Sequence, residues 1–308
     1  MFNRENDLLF TCAKDKSVMV WFTSNGERLG TYDGHSGAVN HCDVTFDSHK
    51  MISASADMSA KLWDVYSGKC LFTFPHTAPV RHCMFATGDS MALTVQLQAG
   101  SAKSRISIWN ISDELTDEDK ESLRDMDLAE GSFTRAVWAP LNSHIYSGDE
   151  DGYVRIWDVS EGKQTFQKKV HKRKVSCLAQ TVDRNLLLTA SADMTACLID
   201  MRTPETVLKT YVSDRPLNAC AFSPILNHVL LAGGQEAQDV TMTSSKEGHF
   251  EVDFWHIFYE ERLASVRGHF GPVNALAVSP NGKMFASAGE DGYVRLHHFD
   301  STYLNSTY

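Results

Sequence analysis

Three residue sets in this sequence carry the side chains of a serine-hydrolase centre: His35 with Ser53 and Asp57, His171 with Thr189 and Asp193, and His269 with Ser287 and Asp291. A histidine held between a carboxylate and a hydroxyl takes the hydroxyl proton and turns that oxygen into a nucleophile. One such centre serves an enzyme, but here the set recurs at a fixed position. His35 and His269 stand in Gly-His pairs 28 residues before Trp63 and His297, and His171 stands 28 before Ile199. Repetition at one register is what architecture produces, and buried polar groups must be paired, so these sets read as structural networks, Trp63 completing the first. No catalytic residue is assigned.

Other chemistry is missing its partners. Gly68-Lys69, Gly162-Lys163 and Gly282-Lys283 lack the following hydroxyl and the preceding glycine of a phosphate-cradling loop, and neither H-E-x-x-H nor G-x-S-x-G occurs. Seven scattered cysteines without a C-x-x-C pair argue against a disulfide framework. Cys42, Cys83 and Cys220 each lie three residues after Val39, Val80 and Leu217, where Leu276 follows Val273, so the position reads as core rather than as metal or redox chemistry, despite His41-Cys42 and His82-Cys83. No cofactor or metal is expected.

The elements that position these residues form a repeat. Asp15 to Trp21, Asp57 to Trp63, Asp151 to Trp157, Asp193 to Ile199 and Asp291 to His297 share a turn aspartate followed by alternating strand residues. With weaker copies ending at Trp109 and Trp255, seven anchors stand at 21, 63, 109, 157, 199, 255 and 297. Their spacing of 42 to 56 residues brackets a WD repeat with insertions. Within one unit, residues 38–42, 50–55, 60–63 and 69–74 read as four short strands joined by turns. Such a small sheet must be covered on both faces, so the units stack as blades. The expected fold is all-β, a seven-bladed WD40 β-propeller occupying residues 1–308 as one domain.

Counting 28 residues back from Trp21 places the first Gly-His histidine upstream of Met1. The first strand of blade 1 is then expected to be mostly absent, and with it the N-terminal segment that in WD propellers supplies the closing strand of the last blade. An unpaired edge strand is an aggregation liability, which favours a chain shorter than its natural parent over closure by the tail Ser301 to Tyr308. At least one of the first and last blades is expected to hold fewer than four strands.

Particular stretches carry a closer likeness. Asp7-Leu-Leu-Phe-Thr-Cys-Ala-Lys-Asp15, Asn25 to His35, Gly233-Gly-Gln-Glu-Ala-Gln-Asp-Val-Thr241, Gly268 to Asn274 and Gly289 to Asp300 resemble the subunit-i family of eukaryotic translation initiation factor three. The resemblance runs through blades one and two and resumes in six and seven. In the WD proteins that these residues resemble, the Gly-His histidine bonds the turn aspartate, and a strand Ser or Thr links it to the Trp. The resemblance implies a non-catalytic scaffold subunit. It would dock the b and g subunits of the factor and help hold the initiation machinery on the small ribosomal subunit, with direct RNA contact left open. The alternative class is a generic WD40 adaptor in another complex, such as one in signalling.

Surface features supply partner-binding candidates. Asp214 and Arg215 occupy the place of a Gly-His pair in blade 6, and Gln235, Glu236 and Asp239 lie in its largest insertion, about residues 235–249. Lys172, Arg173 and Lys174 belong to a basic run entering blade 5, suited to RNA or an acidic partner segment, or merely solvated. The net charge of −10 is concentrated: residues 112–130 hold nine acids and two bases. That stretch, with a helix start at Thr116, is expected to repel RNA and to face solvent or a basic protein segment. No run approaches the length of a membrane helix, and the start has no apolar signal core, so a soluble cytoplasmic protein is expected.

Overall fold

Alternation of β-branched and aromatic residues with Asp-Gly, Ser-Gly and Asn-Gly turns builds antiparallel meanders throughout the chain. The computed structural model describes residues 1–234 and 250–305. Blade 1 comprises Leu8–Cys12, Val18–Phe22 and Arg28–Tyr32; blade 2, Val39–Val44, Lys50–Ser55, Ser59–Asp64 and Cys70–Pro75. Blade 3 comprises Val80–Phe85, Met91–Gln96, Arg105–Asn110 and Arg124–Asp127; blade 4, Phe133–Trp138, His144–Asp149, Tyr153–Asp158 and Gln164–Lys169. Blade 5 comprises Val175–Gln180, Leu186–Ser191, Thr195–Asp200 and Val207–Val212; blade 6, Leu217–Phe222, His228–Gly233, Val252–His256 and Arg262–Val266. Blade 7 comprises Val273–Val278, Met284–Gly289 and Val294–His298. The fold is all-β, with the seven blades of a β-propeller.

Two compact units divide the chain: Met1–Glu150 with Val154–Lys168, and Asp151–Tyr153 with Lys169 onward. Within each unit the apolar clusters lie between successive blades. Phe10, Val20 and Tyr32 of blade 1 meet Met51 and Trp63 of blade 2, and Leu188 and Tyr211 of blade 5 meet Cys220 and Leu231 of blade 6. Second strands are buried almost throughout, whereas the fourth strand of blade 5 alternates between exposed positions and half-buried or buried ones. Burial on both faces explains why the inner strands read as continuous apolar runs and only the outer ones keep a period of two.

The first and last blades have three strands each among the described residues. In blade 1 the first-strand position holds only the Phe2–Leu9 bridge, with Met1 and Phe10 exchanging backbone hydrogen bonds. Among the described residues the tail supplies no strand to blade 7. Asp300 accepts from Tyr303 N–H and starts a helical turn, Ser301–Leu304, whose Tyr303 hydroxyl lies 2.8 Å from His228 Nδ1. This N-cap is what turns the tail away from an extended path.

Six first strands share an irregularity that sequence does not display. The pairing slips by one residue between Val39 and His41, Val80 and His82, Phe133 and Arg135, Val175 and Cys177, Leu217 and Ala219, and Val273 and Ala275. A bulge at one place in each of these six blades bends the first strand alike and preserves the repeat geometry. Cys42, Cys83 and Cys220 follow it into the core, all buried and none in a disulfide.

Candidate functional site

In blade 2 the His35 ring joins the turn to the core. Its Nδ1–H donates to Asp57 Oδ2 at 2.8 Å, its Nε2 accepts from Ser53 Oγ at 2.7 Å, and Trp63 Nε1–H donates to the same Oγ at 2.8 Å. The glycine before His35 has φ of 151°, and a Cβ there would stand 3.1 Å from the Trp63 ring, so the Gly-His pair leaves room for the indole. Asp57 also accepts from Ser36 N–H and from the Ser59 hydroxyl. Burial alone would raise its pKa, but these hydrogen bonds outweigh burial and hold the carboxyl at about 2. His35 is pushed down by burial against the pull of Asp57, which keeps the ring neutral. Ser53 and Trp63 are 0% exposed, so no substrate reaches this serine. The arrangement fastens a turn to a strand.

Blades 5 and 7 vary the theme. His171 Nε2 meets Thr189 Oγ1 at 2.8 Å, while its Nδ1 lies 2.9 Å from Thr195 Oγ1 and 3.3 Å from Asp193 Oδ1. Asp193 is thus shared with Thr195 and with Lys172 N–H, and Ile199 supplies bulk where Trp63 supplies a donor. In blade 7, His269 bonds Asp291 at 3.1 Å and Ser287 at 2.8 Å, and His297 takes the tryptophan position, 3.4 Å from Ser287 and stacked on Phe285. Asp291 is held at about 2, burial being outweighed by Phe270 N–H, His269, Tyr293 N–H and Arg295.

A fourth network eluded the count of 28. His76 Nε2 lies 2.8 Å from Thr94 Oγ1, which also accepts from Trp109 Nε1 at 2.7 Å, and Gln96 takes the aspartate's place by accepting from Thr77 N–H. Residues 97–104 lengthen the hairpin before Trp109 and shift His76 out of that spacing. The signal that finds it is His-x3-Val, shared by His35–Val39, His76–Val80, His171–Val175 and His269–Val273. Blade 6 breaks the pattern. Leu231 stands where the hydroxyl belongs, and the buried Trp255 Nε1 has no hydrogen-bond partner among the described residues.

His76 makes the blade-3 network sensitive to acid. Burial pushes it down to about 4, against a smaller upward pull from the Phe74 carbonyl. The unfolded ring titrates near pH ~6.5, so the unfolded state binds more protons between about 6.5 and about 4 and stability falls as pH drops through that window. Wild type is expected to lose about 3 kcal/mol more than His76→Asn between pH 7 and 4. Urea midpoints of both proteins across that range check it, and parallel pH profiles would refute it.

The partner candidates of blades 5 and 6 converge on one turn. Lys172 N–H donates to Asp193 Oδ2 at 2.7 Å and Ser213 N–H to the Met194 carbonyl at 2.8 Å, so Lys172 and Asp214 flank the Asp193–Met194 turn. Lys172 and Arg173 are exposed, and the carbonyls of Arg173 and Lys174 are fixed by Ser191 Oγ and Ala192 N–H. Asp214 is exposed and lies 3.9 Å from Arg262, which is 3.7 Å from Asp253. Arg215 is half-buried; burial lowers its pKa, offset by Glu251, Asp253 and Asp214. Gln235, Glu236 and Asp239 lie outside the described residues. What the sequence did not single out is the adjoining outer edge. Leu208, Val212, Phe258, Tyr259 and Leu263 are 39–72% exposed there. Lys209 ties the strand to Glu260 at 3.0 Å, and Tyr211 donates to the Ile257 carbonyl at 2.8 Å.

Comparison with known proteins decides the family. The EIF3I profile matches residues 1–308. The chain belongs to the EIF3I family. Eukaryotic translation initiation factor 3 subunit I of Drosophila willistoni is 43% identical, the alignment covering 100% of this chain and 96% of that protein. The protein of the same name from Drosophila melanogaster is 42% identical, covering 100% and 94%. EIF3I membership makes this chain a translation initiation factor subunit on a WD-type propeller and accords with the resemblance read in the Gly-Gly-Gln-Glu-Ala-Gln-Asp-Val stretch. Among the described residues of this EIF3I chain, no helix is long and apolar enough to cross a membrane, and no group of three or more His, Cys, Asp or Glu could hold a metal ion.

Proposed function

We propose that this chain is a non-catalytic scaffold subunit of eukaryotic translation initiation factor three. It docks the b and g subunits in the cytoplasm and supports assembly of the initiation complex on the small ribosomal subunit. The observation that carries this reading, beyond family membership, is the outer edge of blades 5 and 6. Val212, Phe258 and Tyr259 are 65%, 56% and 72% exposed on strands and hairpins fixed from behind, beside the Asp214–Arg262–Asp253 charges. Apolar anchors on a rigid base with an oriented charged rim suit the apolar face of a partner helix. The His–Asp–Ser networks, closed to solvent, hold the blades in place and leave recognition to the surface.

Purified b and g subunits mixed with this chain are expected to co-elute with it in size-exclusion chromatography. Val212→Glu combined with Tyr259→Ala is expected to weaken binding of one of them roughly tenfold or more while leaving the melting temperature unchanged, since both side chains are exposed. Failure of both subunits to co-elute with the wild-type chain would overturn the reading.

A further inference from the structure

The first unit carries a second surface that none of the closed networks uses. The turns joining the first and second strands of blades 2, 3 and 4 are locked to one another. Phe46 N–H donates to Asp89 Oδ2 at 2.8 Å, Thr87 N–H donates to Asn142 Oδ1 at 2.9 Å, and Asn142 Nδ2 returns a bond to the Thr87 carbonyl at 2.9 Å. These bonds hold two apolar side chains out in water: Phe46 is 61% exposed and Leu141 is 93% exposed, with Gly88 in the turn between them. Arg4 lies over the Phe46 ring at 3.4 Å and steadies it. Leu141 has φ of 58°, a left-handed conformation that leucine adopts at a cost and that asparagine tolerates better. A strained leucine that buries nothing in its own fold is spent on something outside it.

The flank of this platform is acidic. Lys50 Nζ reaches the Ser112 carbonyl at 3.1 Å and Asp113 Oδ1 at 2.7 Å, drawing the segment after blade 3's third strand against the blade-2 turn. Thr116 and Asp119 cap the short 3-10 helix Asp117–Lys120 that follows, so the segment is ordered as it presents its exposed carboxylates, among them Glu114, Asp117 and Glu118. Two apolar knobs on a rigid base beside a fixed row of acids match an amphipathic segment with lysines or arginines on its polar side. The same charge repels RNA.

We propose that this face docks a basic amphipathic segment of a protein partner, seating its apolar side on Phe46 and Leu141 and its cations along residues 113–121. The proposal rests on the scaffold reading and adds a second docking surface, carried by the first unit. Its test needs neither b nor g, so the two can fail separately. The probes are a synthetic twenty-residue lysine–leucine amphipathic helix, its glutamate–leucine counterpart and a single-stranded RNA of similar length, each titrated by fluorescence anisotropy into the full chain. The lysine–leucine helix is expected to bind and the other two to fail. Phe46→Ser with Leu141→Asn is expected to raise the dissociation constant roughly tenfold or more without lowering the melting temperature. Asp113→Lys with Glu118→Lys is expected to do the same. Peptide binding that survives Phe46→Ser with Leu141→Asn would be undirected charge attraction and would overturn the proposal, as would binding of the RNA at this face or of the acidic helix.

Discussion

Replacing Trp63 with alanine is expected to lower the unfolding free energy by about 3–5 kcal/mol, as for large aromatic truncations in packed cores. Trp63 is 0% exposed and meets Tyr32 edge-on at 6.0 Å and His35 at 5.9 Å, at the centre of the cluster between blades 1 and 2. Its removal leaves a cavity bounded by strands of both blades and withdraws the Nε1–H that Ser53 Oγ accepts. Trp63→Phe keeps most of the ring and loses mainly that hydrogen bond, so its cost is expected to be smaller, about 1–2 kcal/mol. Urea unfolding followed by circular dichroism separates the two variants. A loss below about 1 kcal/mol for alanine would mean that the site collapses and that the network is not what holds these blades.

Gly152→Ala is expected to be nearly as damaging, and for a reason visible only in three dimensions. The position has φ of 86°, but the same place in the turn is Met58 in blade 2 and Met194 in blade 5, with φ of 65° and 71°, so the backbone conformation alone does not demand glycine. The neighbours do. A Cβ on Gly152 would stand 2.3 Å from the His171 carbonyl oxygen and 2.8 Å from that of Arg173. Those carbonyls belong to backbone anchored by His171 to Thr189 and by the Val170 and His171 N–H groups to the Gly152 carbonyl. The loop carrying Lys172, Arg173 and Lys174 must therefore move, at about 3 kcal/mol or more. Gly292 offers the control: with φ of 78° and nothing within 4 Å of its Cβ position, its alanine variant is expected to cost only about 1–2 kcal/mol. Calorimetry of both variants, with amide exchange across residues 170–175, decides it. Equal losses at the two glycines would refute the steric argument.

The repeat was legible because each blade restates its turn aspartate and its anchor, and the 28-residue spacing located His35, His171 and His269 in their networks. His76 escaped because that spacing spans a hairpin whose length varies; the four-residue step from histidine to the first valine spans none. Leu231 could be placed only once strand pairing showed that it faces Asp253 at the hydroxyl register. The bulges are backbone events with no residue signature. The platform of Phe46 and Leu141 depends on Asp89 and Asn142 reaching turns 43 and 55 residues away, a pairing that periodicity cannot announce. Acidity of residues 112–130 was plain from composition, but its place beside the blade-2 turn follows from Lys50 holding Asp113. The tail was open to a strand in blade 7, and the Asp300 cap made it a helical turn.

The most direct measurement is purification of the tagged chain from its own cell extract in moderate salt, with mass spectrometry of what stays bound and sedimentation of the same extract on a sucrose gradient. The b and g subunits are expected to be recovered, and a fraction of the chain is expected to travel with the small ribosomal subunit. Recovery of neither subunit, with the chain confined to the light fractions, would contradict a scaffold role in initiation.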